Sequence, residues 1–146
     1  MESNQGHGLA SVQQVIWLDQ ILNPDLPCYN TGSRWEIAGE LDVARFEAAI
    51  QHAVTANDAL RLVLDEAAGV AVQRVLPRVD VRVHHVDFSG HPDAEARAHA
   101  HVRQLAGTPF PLYGALLWDD HLVRLGPART WWVHRTHHLI ADGASV

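Results

Sequence analysis

The hydrophobic period of this 146-residue chain switches between helical and extended spacing several times, and that switching limits its fold more than any other feature. Val43, Phe46, Ala49, Ile50, Ala53 and Val54 recur at intervals of three and four, the stripe of a helix with one core face. Asp42 stands in front of them where an N-cap belongs. From Leu60 the interval falls to two: Leu60, Leu62 and Leu64 point one way, while Arg61 and Asp65 bracket the other. Gly69 turns the chain back through Val70, Val72 and Val75, which predicts a β-hairpin.

The same reading extends to both ends. Ser11-Val12-Gln13-Gln14 has the spacing of a capping box and opens a helix from about Val12 to Leu22, which Asn23-Pro24-Asp25 stops. Residues 23–32 form a loop, and Arg34 to Ile37 a strand. Val81 to Val86 reads as a further strand. Pro92, Asp93 and Glu95 open a third helix with the face Ala94, Ala98, Val102 and Leu105, stopped at Gly107. Residues 115–125 and 129–140 are two apolar-rich strands joined at Gly126-Pro127. Strands interrupted by single helices predict an α+β, two-layer sandwich with a mixed sheet and helices packed on one face.

Composition removes several function classes. All eleven basic side chains are Arg and none is Lys, which excludes a lysine nucleophile, Schiff-base chemistry and a Walker-type phosphate loop. The formal charge of −6 gives no footprint for nucleic acid. No apolar stretch approaches the roughly 20 residues that span a bilayer, and the opening MESNQGHGLA has no signal-peptide character. The single cysteine, Cys28, has no internal disulfide partner, so the chain reads as cytoplasmic. At 47% hydrophobic content its length suits one globular domain.

The chemistry concentrates near the end, in HRTHHLIADGAS. On a strand His134, Thr136 and His138 share one face, while Arg135, His137 and Leu139 share the other, so the adjacent histidines have different tasks. Asp142-Gly143 suits a tight bend after them. A histidine near neutral pH can take a proton from an attacking amine or hydroxyl, and an aspartate close by can hold the loop through an arginine. Spacing alone reads more readily as core and surface histidines.

His137-His138-Leu139-Ile140-Ala141-Asp142-Gly143 resembles the HHxxxDG signature of nonribosomal peptide synthetase condensation domains and matches each of its fixed positions. Val12-Gln13-Gln14-Val15-Ile16-Trp17-Leu18 resembles the opening AQxxxWxL helix of that family, with Val12 in the place of Ala. Asn57-Asp58-Ala59-Leu60-Arg61-Leu62-Val63-Leu64 resembles its RHExLRTxF segment, keeping Leu60-Arg61 and departing at several other positions. Pro27-Cys28-Tyr29-Asn30 is similar to its P-x-Y-N stretch, and Gly39-Glu40-Leu41-Asp42 to the turn before its second helix. The likeness runs from about Leu9 to Ser145 and is nearest to siderophore-type condensation domains, which also carry an aromatic strand such as Trp131-Trp132 before the motif.

The resemblance implies the amino-terminal lobe of a two-lobed, chloramphenicol acetyltransferase-like domain, with the second lobe and the far wall of the active-site tunnel absent from residues 1–146. It implies amide formation between a donor acyl or aminoacyl thioester and an acceptor aminoacyl thioester. Both arrive on phosphopantetheine arms of peptidyl or aryl carrier proteins, with no cofactor bound directly. His138 becomes the general base or amine-positioning group, His137 a structural partner, and Asp142 a loop brace paired with Arg61. Gly143 becomes an oxyanion donor. With Met1 as the natural start, the donor carrier arrives on a separate chain. The lobe alone is expected to be inert, and to self-associate or pair with its partner lobe through an exposed apolar face.

Trp131 and Trp132 are read as core, and His84, His85, His99 and His101 as surface or strand residues rather than ligands. Alternatives within the superfamily are an epimerisation domain or a CoA-dependent acyltransferase; a heterocyclisation domain is disfavoured because DxxxxD replaces HHxxxDG there. Outside it stand a non-catalytic carrier-binding module and a zinc site from His134, His138 and Asp142.

Overall fold

The computed structural model describes residues 6–141. Its elements in chain order are β1 (His7–Gly8), α1 (Ser11–Leu22), β2 (Asn30–Ala38), α2 (Val43–Ala56), a 3-10 turn over Asp58–Arg61, β3 (Leu62–Ala67), β4 (Val70–Val75), β5 (Val83–Asp87), α3 (Ala94–Ala106), β6 (Trp118–Gly126) and β7 (Arg129–His137). The strands form two sheets rather than the one expected: β1-β4-β3, and the larger β2-β7-β6-β5. In the larger sheet β2, β7 and β6 are antiparallel neighbours while β5 runs parallel to β6, with α3 as the crossover between them. The sheet is mixed and the class α+β, as the switching period predicts.

Local chemistry sets most of the boundaries. The Arg45 amide donates to Asp42 Oδ1 at 3.0 Å, so Asp42 caps α2 as predicted, a contact of about 1 kcal/mol. Helix α1 starts one residue earlier than the capping box suggested. Ala10 is its N-cap and has no hydroxyl to offer, so only the return half of the box exists: the Ala10 amide donates to Gln13 Oε1 at 2.9 Å. Leu60, expected in the hairpin, sits in the 3-10 turn, where its carbonyl accepts from Trp118 Nε1 at 2.7 Å. Gly32 of β2 lies tight against β7: a Cβ there would stand 2.6 Å from the His134 carbonyl oxygen.

Alternation on β6 and β7 sends two sets of side chains to opposite faces of the larger sheet. Val123, Leu125, Trp131 and Val133 pack under α3 against Ala98, Val102 and Leu105. Trp118 and Trp132 face the other way, toward α2, whose Val54 and Phe46 meet them. The expectation of helices on one face is therefore corrected, because α2 and α3 cover opposite faces. The cause lies in β7, where Trp131 and Trp132 are successive residues and each demands apolar cover on its own side. A third cluster, with Leu9, Leu64, Ala71, Phe110, Leu117 and Leu139, joins α1 and the hairpin to the end of β7. None of the described helices is long and apolar enough to cross a membrane.

Candidate functional site

The last residues of β7 are held by three separated pieces of the chain. Asn30 of β2 is the register partner of His137, and the His137 amide donates to the Leu117 carbonyl at 2.8 Å. The His138 amide then donates to the carbonyl of Tyr29 at 3.0 Å, and the Ile140 amide returns to the His137 carbonyl at 3.1 Å, closing a turn. Gln13 of α1 fixes that turn from outside, its Nε2 donating to the Leu139 carbonyl at 2.8 Å. Leu139 is 2% exposed inside the core beside α1, and Ile140 packs against the cluster that contains Val54 and Trp118. The turn is therefore anchored by apolar residues on both flanks, with His138 exposed between them.

The two adjacent histidines take different roles, as strand alternation predicts. His137 is 1% exposed and both of its ring nitrogens are used. Its Nδ1 accepts from the Leu139 amide at 3.1 Å, so the hydrogen is on Nε2, which donates to Gln20 Oε1 at 3.3 Å. Gln20, itself 3% exposed, passes its own hydrogens to the carbonyls of Asn23 and Leu26. Burial, and secondarily the neighbouring His138, push the His137 pKa down to about 4.

His138 is the opposite case. Its Nδ1 lies 3.1 Å from the Ala141 carbonyl, an acceptor, which places a hydrogen on Nδ1, and its Nε2 has no partner among the described residues. An imidazole oriented by its own turn through one nitrogen, with the other free among the described residues, has the arrangement that a general base requires.

The depressed His137 value makes stability pH-dependent with a definite sign. The unfolded ring takes up a proton near pH 6.5 and the folded one only near 4. The contribution is thus complete above pH 6.5 and is lost as pH falls through the folded pKa, by at most about 3 kcal/mol before solvent screening. Urea midpoints of wild type and His137→Asn, measured between pH 8 and 4, are expected to converge as pH falls. A gap independent of pH would show that the buried ring does not titrate this way.

Of the other predicted site residues, Asp142 and Gly143 lie outside the described residues. Arg61 is held by Asp58 and by the Leu76 carbonyl, at the base of the hairpin. Of the zinc set, His134 contacts Asp120 through Nδ1 at 3.0 Å and keeps Nε2 without a partner among the described residues, and the third member, Asp142, lies outside them. Trp131 is core at 0% exposed, as read from the sequence, whereas Trp132 is only partly buried and meets Trp35 at a tilt, with ring centroids 4.5 Å apart. His85 meets Glu47 on the surface, and His84 stacks on His121 at 4.7 Å.

Sequence reasoning missed Gln20 and the carbonyl of Tyr29 as supports of the histidine pair. Tyr29 had a signal, since it falls in the Pro27–Asn30 stretch singled out above; Gln20 had none. Arg135 was also missed. It is 8% exposed, donates to both oxygens of Asp119 and to the carbonyls of Leu105 and Thr108, and lies over the Phe110 ring at 4.6 Å. Burial alone would raise the Asp119 pKa, but hydrogen bonds from Arg135 and His121 overcome it and hold the carboxyl at about 2.

A family model described as "Condensation domain" matches residues 4–146. The dimodular nonribosomal peptide synthase of Bacillus subtilis (strain 168) is 34% identical over 137 residues, covering 94% of this chain and 6% of that protein. The isonitrile lipopeptide synthase of Streptomyces coeruleorubidus is 34% identical, covering 92% of this chain and 9% of that protein. Among solved structures, the starter condensation domain of rhizomide synthetase superposes with a TM-score of 0.87 at 30% identity, covering 96% of this chain and 35% of that one. The first condensation domain of the calcium-dependent antibiotic synthetase, in complex with a substrate analogue, gives 0.83 at 32% identity, covering 95% and 34%. The chain thus spans less than a tenth of these curated relatives and about a third of the solved chains.

Proposed function

This chain belongs to the condensation domain family, and from that membership we propose that it carries the acyl-transfer centre of a nonribosomal peptide synthetase, with His138 as the group that receives or orients the acceptor's proton. The observation that carries this reading is the exposed His138 ring, fixed through Nδ1 on the Ala141 carbonyl with Nε2 free among the described residues. The donor acyl and the acceptor aminoacyl group arrive as thioesters on the phosphopantetheine arms of carrier proteins. The acceptor amine attacks the donor thioester carbonyl, forming the C–N bond while its proton passes to His138 Nε2. As the tetrahedral intermediate collapses, the C–S bond breaks and the proton goes to the departing thiolate of the donor arm. The product is an amide on the acceptor carrier and a free thiol on the donor carrier.

His137 serves this step by holding the turn, through Gln20 on one side and the Leu139 amide on the other. Asp142 and Gly143 lie outside the described residues; the roles proposed for them are a brace for the loop and a backbone donor to the oxyanion, a preorganised donor of that kind being worth roughly 3 kcal/mol of barrier. Solved relatives include a rhizomide starter domain variant in complex with C8-CoA, which supports a simple acyl chain as the donor here. The site is a soluble, cytoplasmic one in this reading. Residues 1–146 alone form no amide, because a single lobe does not hold two substrates in line.

Mixing the intact domain with a donor-loaded carrier and an acceptor-loaded carrier, and weighing the acceptor by mass spectrometry, tests the assignment. An acyl-dependent mass increase on the acceptor is expected. Racemised acceptor without mass gain would replace amide formation by epimerisation, whereas the same mass gain with acyl-CoA in place of the donor carrier would keep amide formation and change only the donor.

A further inference from the structure

The face of the larger sheet turned toward α2 is incompletely filled. A cleft of about 210 Å³ opens there, walled by Ile50, Ala53 and Val54 of α2 and by Trp35, Trp118 and Trp132 of the sheet. Asp120 and His134 also line it. Asp120 is 1% exposed, and its Oδ1 accepts from Trp132 Nε1 at 2.6 Å and from His134 Nδ1 at 3.0 Å. A carboxylate only accepts, so the His134 hydrogen is on Nδ1, and in the neutral ring Nε2 presents a lone pair. That Nε2 has no protein partner among the described residues.

The contrast with His137 is informative. His137 uses both nitrogens, with Leu139 and Gln20, while His101 and His121 each keep one buried nitrogen unpartnered among the described residues but do not line this cleft. His134 is oriented by a buried carboxylate and lines the cleft, and its second nitrogen has no partner among the described residues. Trp35 at the cleft remains 42% exposed while its ring meets Trp132 at a tilt. Aromatic walls with one aimed acceptor select a flat apolar ring that carries a hydrogen-bond donor. The volume admits one such ring, and the buried charge of Asp120 disfavours an anion.

We propose that this cleft is a binding site for a small neutral aromatic group bearing a hydroxyl, its ring between the tryptophans and Ala53 and its O–H donating to His134 Nε2. It does not depend on the acyl-transfer reading, although Ile140 of the His138 turn packs against the cluster containing Val54 and Trp118, so that site and turn share a wall.

Phenol serves as the probe, with tryptophan emission as the signal, since three of the five tryptophans line the cleft. A saturable change is expected with phenol. Anisole, the same ring without a donor, is expected to bind about tenfold more weakly, the measure of one lost hydrogen bond. His134→Leu should bring phenol down to the affinity of anisole and leave anisole unchanged. Ala53→Phe, which fills the cleft without touching the polar pair, should abolish binding of both, with cooperative unfolding confirming that the variant folds. No saturable change in the wild type, equal affinity for phenol and anisole, a preference for benzoate, or wild-type binding by Ala53→Phe each overturn the assignment.

Discussion

His138→Ala is expected to lower amide formation by the intact domain by roughly 10²- to 10⁴-fold, the range for loss of a positioned general base. The unfolding midpoint should hardly move, and this combination makes the prediction sharp. The ring is exposed and its one side-chain hydrogen bond among the described residues is to the carbonyl of Ala141 within its own turn, so no cavity opens and none of the described residues loses a distant partner. The backbone amide that ties the residue to Tyr29 survives the substitution. His137→Ala reverses the pattern. It empties a site 1% exposed and leaves the Leu139 amide and Gln20 Oε1 without partners, so stability falls along with activity. Single-turnover rates with both carriers loaded, measured beside urea melts, separate the two. Activity within about fivefold of wild type in His138→Ala would leave proton transfer to another group.

Trp131→Ala is expected to cost about 3–5 kcal/mol, the range for a large aromatic removed from a core. The side chain is 0% exposed and fills the space under α3 beside Ala98, Val123, Leu125 and Val133. Its Nε1 donates to Glu36 Oε2 at 2.9 Å, and the Arg34 guanidinium lies 4.0 Å from the ring centroid. Glu36 is held below the usual carboxylate range, first by Arg129 and then by Trp131. The loss therefore combines a cavity with a weakened tie between β2 and β7. Trp132→Ala, on the next residue but the opposite face, should cost distinctly less, because its ring already borders an open cleft. Chemical denaturation of the pair decides this; equal losses would mean that the two faces are packed to the same degree.

That pair also shows where the sequence was legible. The spacing of Val43 to Val54 and the cap at Asp42 predicted α2 to its first residue, since both signals are local and nothing remote competes with them. The alternation of His137 and His138 foretold one buried and one exposed ring, because period two is geometry and not context. The placement of helices on both faces was harder. Trp131 and Trp132 both read as core, and only the partners of each, α3 for one and α2 for the other, distinguish their sides. Leu60 looked like a strand residue because its neighbours alternate, but the bond from Trp118 to its carbonyl spans 58 residues and holds it in a 3-10 turn. Asp120 is the extreme case: a carboxylate reads as surface until Trp132 and His134 are seen to converge on it. Gln20 is the same kind of residue, mundane in a helix pattern and decisive only beside His137.

The pairing of β2 with β7 links residues 30–38 to residues 129–137, nearly the whole length of the described chain. During synthesis from the amino end, β2 has no strand to join until β7 has left the ribosome, while the β3–β4 hairpin can close long before. The carbonyl of Tyr29, just ahead of β2, stays without the His138 amide for the same interval. Completion of the sheet and assembly of the histidine turn are therefore a single late event, and a nascent chain halted before residue 129 has neither.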